Sequence, residues 1–162
     1  MTKWATVVAL AVAGCASSGG MSDWFSRENA VEVSELARSA QCNTASESAA
    51  IQRFADAASL MAWQQQRGVA LVTGSLPQGP FALVEMGQRA TGGYGLAISR
   101  LAGRRGDTLI LKATFIAPPA DAMSTEALTS PCVLVSLPAD AGGSLELLDQ
   151  AGNVRARGGD GR

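Results

Sequence analysis

The sequence predicts a mainly β fold, either a small antiparallel β-sandwich or a strongly curved antiparallel sheet, with one covering helix. Beyond Val69, short runs of strand-forming residues alternate with clusters of Gly, Pro and Asp at the spacing of an antiparallel meander. Before that point, one segment has apolar residues at helical spacing. Without the first 14 of its 162 residues, the chain has 148, which suffice for one compact domain and are too few for two comfortable ones.

The chain begins with a short apolar run that ends at a cysteine. Lys3 precedes the run, Ala5 to Ala13 form it, and Gly14 stands directly before Cys15. The run is too short to span a bilayer, and small residues suit a peptidase site. The pattern resembles a bacterial lipobox, which implies a signal peptide at residues 1–14 and a lipid on Cys15. An ordinary secretory leader with a chance cysteine is the alternative.

The lipobox resemblance sets the expected location and domain boundaries. Ala16 follows the cysteine where Asp would retain the protein at the inner membrane, so we expect a lipid anchor in the outer membrane, on its periplasmic face. Residues 15–29 carry the lipidated cysteine and are rich in Ser and Gly, which is typical of a flexible tether. The globular domain is predicted to span residues 30–157, and residues 158–162 are expected to form a frayed tail.

The first elements of the domain are a strand and the helix. Val31 and Val33 alternate with polar residues, which predicts a half-buried strand running toward Cys42. Between Asp56 and Arg67 the apolar residues recur every three to four positions, and Gly68 then ends the predicted helix. The core stripe of this helix is expected to include Met61 and Trp63, and its exposed face Gln64, Gln65 and Gln66.

The remaining elements are predicted to be short strands. They are Ala70–Val72, Phe81–Met86, Tyr94–Leu101, Thr108–Ile116 and Val133–Leu137, followed by a hairpin of Ser144–Leu148 and Asn153–Arg155. The clearest turn signals are Pro77–Pro80, Thr91–Gly93 and Gly103–Asp107.

Two cysteines remain once Cys15 is lipidated. The periplasm is an oxidising compartment, so Cys42 and Cys132 could form a disulfide that closes a loop of about 90 residues and adds roughly 4 kcal/mol. Two separate buried thiols, acting as small apolar side chains, are the alternative. Sequence alone leaves both open.

Charge and composition argue against several functions. The 13 basic and 14 acidic side chains give a net charge of −1 with no block of either sign, so nucleic-acid binding is not expected. Histidine is absent, which removes the commonest general base and metal ligand. The one lysine after the leader, Lys112, is predicted to lie on the face of its strand opposite Leu111, which is typical of a surface residue. We therefore expect no catalytic residue, metal, cofactor or small-molecule substrate.

One stretch of the chain resembles a known family. It contains Arg89-Ala90-Thr91-Gly92-Gly93-Tyr94, then Gly106-Asp107-Thr108-Leu109, then Pro118-Pro119 and Met123 to Pro131 before an apolar strand. These dispersed motifs, spanning residues 88–138, resemble the carboxy-terminal domain of the PrcB family, which is named for a lipoprotein subunit of a protease complex. The resemblance implies a non-catalytic accessory subunit that binds another envelope protein, a protease being the candidate partner.

Two loops within that stretch are the candidate contact residues. In the first, Gly92 and Gly93 permit positive φ between Thr91 and Tyr94, and at least one of them is expected to adopt it. The loop is either a simple turn or a contact loop. The second, between Pro119 and Pro131, is long for a strand connection, which favours a contact role. Its candidate residues are Met123, Thr125, Thr129 and Pro131.

Two other functions stay open from the sequence. Thr91-Gly92-Gly93-Tyr94 also resembles a loop of chagasin-type inhibitors of cysteine proteases, which implies an inhibitor that inserts this loop into a protease cleft. A structural envelope lipoprotein without a single partner is the third interpretation.

Overall fold

The computed structural model describes residues 30–159 as ten strands and one helix. The predicted signal peptide, the Cys15 lipidation site and the tether lie outside the described residues. The elements are β1 (Ala30–Glu32), β2 (Ser34–Ser39), β3 (Ala50–Phe54), α1 (Ala57–Arg67), β4 (Phe81–Glu85), β5 (Gly95–Ile98), β6 (Leu101–Arg105), β7 (Thr108–Ile116), β8 (Cys132–Ser136), β9 (Ser144–Leu148) and β10 (Val154–Gly159).

The strands form two sheets that pack face to face. The six-stranded sheet has the order β1-β6-β7-β9-β10, with β5 also pairing with β7, and the four-stranded sheet has the order β2-β8-β4-β3. Buried side chains from both sheets, among them Val84, Val133, Leu111 and Leu147, form one core between them. The predicted class, a β-sandwich with one covering helix, is therefore confirmed.

The helix makes a third layer because β4 is buried on both faces. Ala82 and Val84 point into the core between the sheets, whereas Phe81 and Leu83 point the other way, toward Leu60 and Trp63 of the helix. Successive strand residues face opposite sides, so a strand covered on both sides must be apolar throughout. This accounts for the unbroken apolar run at the start of β4.

The helix follows its capping signals. The Asp56 carboxylate accepts the Ser59 N–H at 2.8 Å at the start, and Gly68 ends the helix in the left-handed region at φ 65°. Trp63 is in the core, as predicted. Met61 is not: it is 43 % exposed. Gln64, predicted to be exposed, is buried, because its amide group bonds both the N–H and the carbonyl of Val72.

The prediction of a simple antiparallel meander is wrong. β7 pairs with β9 in parallel, and β8, which lies between them in sequence, belongs to the other sheet. The predicted strand Ala70–Val72 is also wrong, since these residues lie in the irregular segment between α1 and β4. Conversely, β3 was not predicted. Its apolar residues Ile51 and Phe54 are buried on opposite faces of the strand. Because they are three positions apart, they do not form the alternating apolar and polar pattern that identifies a strand in a sequence.

Two predicted boundaries also differ. Gly103 to Arg105 belong to β6, and the turn is confined to Gly106 and Asp107. Gly158 and Gly159 are the last residues of β10 and not part of a frayed tail. A side chain at Gly158 would meet the backbone oxygen of Ile51, so glycine allows β10 to approach β3 closely.

Cys42 and Cys132 are joined in a buried disulfide, with their Cα atoms 6.1 Å apart. The bond links the segment after β2 to the start of β8. Beside it, the Cys42 N–H donates to the backbone oxygen of Ser130 at 3.0 Å and to its hydroxyl at 2.9 Å. Within residues 30–159, no helix is long and apolar enough to cross a membrane.

Candidate functional site: two loops that contact each other

The two candidate contact loops lie side by side. The chain that leaves β4 and the chain that enters β8 run antiparallel, and Arg89 and Thr129 exchange backbone hydrogen bonds of 2.7 and 2.9 Å. This bridge positions the loop Thr91–Tyr94 against the segment 117–131. We call these two segments together the paired-loop surface.

Two further hydrogen bonds hold the loops together. The Thr129 hydroxyl donates to the Thr91 carbonyl at 2.9 Å, and the Gly92 N–H donates to the Thr125 carbonyl at 3.0 Å. The loops therefore form one unit with a fixed backbone arrangement, and the loop Thr91–Tyr94 does not stand apart from its neighbour.

The two glycines are required by contacts within the chain. Gly93 has φ 85°, as predicted for at least one of the pair, and a Cβ atom there would lie 2.9 Å from Pro118 Cβ. A Cβ atom on Gly92 would lie 2.5 Å from the Thr125 hydroxyl oxygen. The space beside the glycines is thus occupied by the second loop.

The predicted site residues differ in exposure. Met123 is fully exposed, and Thr125 lies in the same exposed stretch. Thr129 and Tyr94 are half-buried. Pro131 is buried, so it contributes little to the exposed part of the paired-loop surface, and its carbonyl accepts the Met86 N–H at 2.8 Å.

Sequence reasoning missed one residue of this surface, Leu128, and two residues that border it, Ile116 and Arg89. Leu128 is 62 % exposed and Ile116 is 46 % exposed, although both are large and apolar. An apolar residue in a polar loop without a periodic partner was the available signal for Leu128. The third is Arg89, whose guanidinium donates to the Met86 carbonyl at 2.7 Å and lies 5.9 Å from the centre of the Tyr94 ring. The paired-loop surface therefore has a fixed backbone and exposed apolar side chains, with one anchored cation at its border.

A cavity of about 370 Å³ lies on the outer side of β7, and none of its lining residues belongs to the paired-loop surface. Ser99 and Lys112 both line it. The Ser99 hydroxyl donates to the Leu101 carbonyl at 3.0 Å and accepts the Leu101 N–H at 3.2 Å, so it serves the local backbone. Within residues 30–159, no three Cys, Asp or Glu residues are grouped so that they could hold a metal ion.

Fold and candidate site together define a β-sandwich in which two hydrogen-bonded loops share one surface. Residues 81–138 match the family described as PrcB C-terminal, which confirms the predicted resemblance to the PrcB family. The match begins at β4, earlier than the expected residue 88, and ends after β8, so it contains both loops. Comparison with curated proteins and with solved structures gives no match.

Proposed function

We propose that this chain is a non-catalytic accessory subunit that binds another envelope protein through the paired-loop surface. The observation that carries the proposal is the exposure of Met123 and Leu128 on loops whose backbones are fixed by hydrogen bonds. Large apolar side chains that remain in water on an ordered loop are typical of a contact site. The fixed backbone also lowers the conformational entropy lost on binding.

A protease is the proposed partner. The resemblance to the PrcB family supports this choice, because that family is named for a subunit of a protease complex and the matched residues include both loops. The proposed role is assembly or stabilisation of the protease, with no chemistry performed by this chain.

Affinity capture after mild detergent extraction tests the proposal. We expect an envelope protease to be captured by the native chain and lost with Met123→Glu and Leu128→Glu, since a charge there would be desolvated at an apolar contact. Met61→Glu is the matched control, because Met61 is also an exposed methionine but lies on α1. Equal capture by all three variants, or no protease captured by the native chain, would contradict the proposal.

We also propose that Cys15 anchors the chain in the outer membrane. The apolar run before it and the small residues beside it support this location. Cys15→Ala should release the protein from the outer-membrane fraction, whereas Ser17→Ala should leave it there. Cys15→Ala protein that still fractionates with the outer membrane would refute the anchor.

A further inference from the structure

Strand β5 has one unpaired edge. β5 and β6 lie in line along the same side of β7: Ile98 is opposite Ala113, and Gly103 is opposite Ile110. The β5–β6 side therefore contains two extra residues, Ser99 and Arg100, which form a bulge. On the outer edge, β1 covers β6 alone, and no described strand lies beside β5.

The hydrogen-bond register shows which backbone groups of β5 face this open edge. The Ser99 N–H donates to the Lys112 carbonyl at 2.9 Å, so the odd-numbered residues of β5 bond to β7. Antiparallel residues alternate between bonding inward and outward. The N–H and carbonyl groups of Leu96 and Ile98 consequently point away from β7, toward the open edge.

This open edge continues a ladder that is already formed. Val31 of β1 pairs with Ala102, and the Val33 N–H donates to the Arg100 carbonyl at 2.8 Å. After Val33 the chain crosses to the other sheet as β2. Ile98 and Leu96 are the next two residues of this ladder whose backbone groups point outward. Because the chain leaves this sheet after Val33, no described strand pairs with them.

Two cavities lie along this edge, between β5 and the edge strand β2. One, of about 470 Å³, is lined by residues that include Val33, Ile98 and Val135, with Glu32, Glu35 and Arg100 at its exposed side. The other, of about 230 Å³, is lined by residues that include Tyr94, Leu96, Ala40, Pro131 and Val133. Together they form what we call the edge groove.

We propose that the edge groove binds an extended segment of a partner protein, which pairs with β5 as an added strand. Leu96 and Ile98 would supply the backbone hydrogen bonds, and the segment would occupy the line that β1 leaves at Val33. This inference rests on the proposed function, since the groove ends at Tyr94, the last residue of the first loop, and a partner on the paired-loop surface would reach it directly.

The two cavities define the side chains of that segment. The larger cavity carries both signs of charge, because Arg100 lines it together with Glu32 and Glu35, and Glu35 is already paired with Arg38 at 2.6 Å. It therefore favours a polar side chain without a preferred sign of charge. Tyr94, Pro131 and Val133 favour an apolar side chain in the smaller one. Both side chains point inward, so their positions along the added strand must differ by an even number.

The test uses the purified full chain in detergent and a phage-displayed library of random dodecapeptides. Selected peptides should carry a polar and an apolar residue at positions that differ by an even number. Ser34→Trp and Ala40→Trp each place a large ring at an exposed position lining one of the cavities, and each should weaken peptide binding at least about tenfold. Thr114→Trp is the matched control, because Thr114 is exposed on β7, the strand that pairs with β5, and lines a different cavity.

Amide hydrogen exchange by NMR tests the pairing itself. A bound peptide should slow exchange at Leu96 and Ile98 and leave Ala97, which already bonds to β7, unchanged. Equal peptide binding by all variants, no selected peptide, or uniform protection across β5 would refute the proposal. Protection that grows with protein concentration in the absence of peptide would refute it in favour of a second copy of this chain. Peptide binding needs no protease, so its outcome is distinguishable from that of the capture experiment.

Discussion

Loss of the Cys42–Cys132 disulfide should strongly reduce stability. The two residues are separated by 90 positions, and a cross-link over a loop of that length restricts the unfolded chain by about 4.5 kcal/mol. For a domain of this size, about 3 to 4 °C of melting temperature corresponds to each kcal/mol, so Cys42→Ala/Cys132→Ala should melt on the order of 15 °C below the native protein. Urea unfolding under oxidising conditions measures the free energy directly.

The single variants show whether the lost stability comes from the disulfide bond or from the packing of two separate thiols. Either single substitution already opens the loop, so Cys42→Ala, Cys132→Ala and the double variant should lose nearly the same free energy. Two unbonded thiols would instead give small, additive losses of about 1 kcal/mol each, because each loses only one buried sulfur atom. Additive losses of that size would refute the disulfide.

Three further predictions concern stability. Trp63→Ala should cost about 3–5 kcal/mol, because the ring is buried between α1 and the four-stranded sheet, and an unchanged melting curve would contradict this placement. Burial raises the pKa of the Glu85 carboxyl, with an opposing effect from nearby Arg67, so the folded state binds this proton more tightly than the unfolded state. Its stabilising contribution is present below the ordinary pKa of 4.5 and is lost as the pH rises through the raised pKa. Urea melts should therefore show Glu85→Gln gaining on the native protein as the pH rises, and a gain confined to acid would contradict the sign. Gly158→Val should cost about 1–3 kcal/mol because its side chain meets backbone, whereas Gly74→Val, in open space, should cost less in the same melts.

Local chemistry made the helix and the longest strand predictable from the sequence. The Asp56 cap and the Gly68 terminator act within a few residues, so the two ends of α1 follow from the local sequence. β7 was predicted with its observed ends, Thr108 and Ile116, because turn residues flank a run of strand formers. The missed strand β3 pairs with β4, and α1 lies between the two strands in the sequence. Pairing between segments that far apart leaves no pattern in the local sequence.

The site was predictable in its parts but not in its assembly. The sequence predicts both loops. It does not predict the hydrogen bond between the Gly92 N–H and the Thr125 carbonyl, because these residues are 33 positions apart. Burial of Pro131 likewise depends on long-range packing: its carbonyl accepts a bond from Met86, far upstream in the chain. Sequence patterns report conformational preference over a few residues, whereas these contacts depend on the assignment of β8 to the four-stranded sheet.

The family match contains the two candidate loops but not all of the elements that hold them in place. Residues 81–138 contain both loops, but β4 and β8 are the inner strands of their sheet, and the outer strands β3 and β2 precede the match. The second face of β4 is covered by Leu60 and Trp63, which also precede it. β9, the parallel neighbour of β7, follows the match. The matched segment alone would expose apolar strand faces and unpaired edges to water, so it requires the flanking elements to hold the two loops in contact.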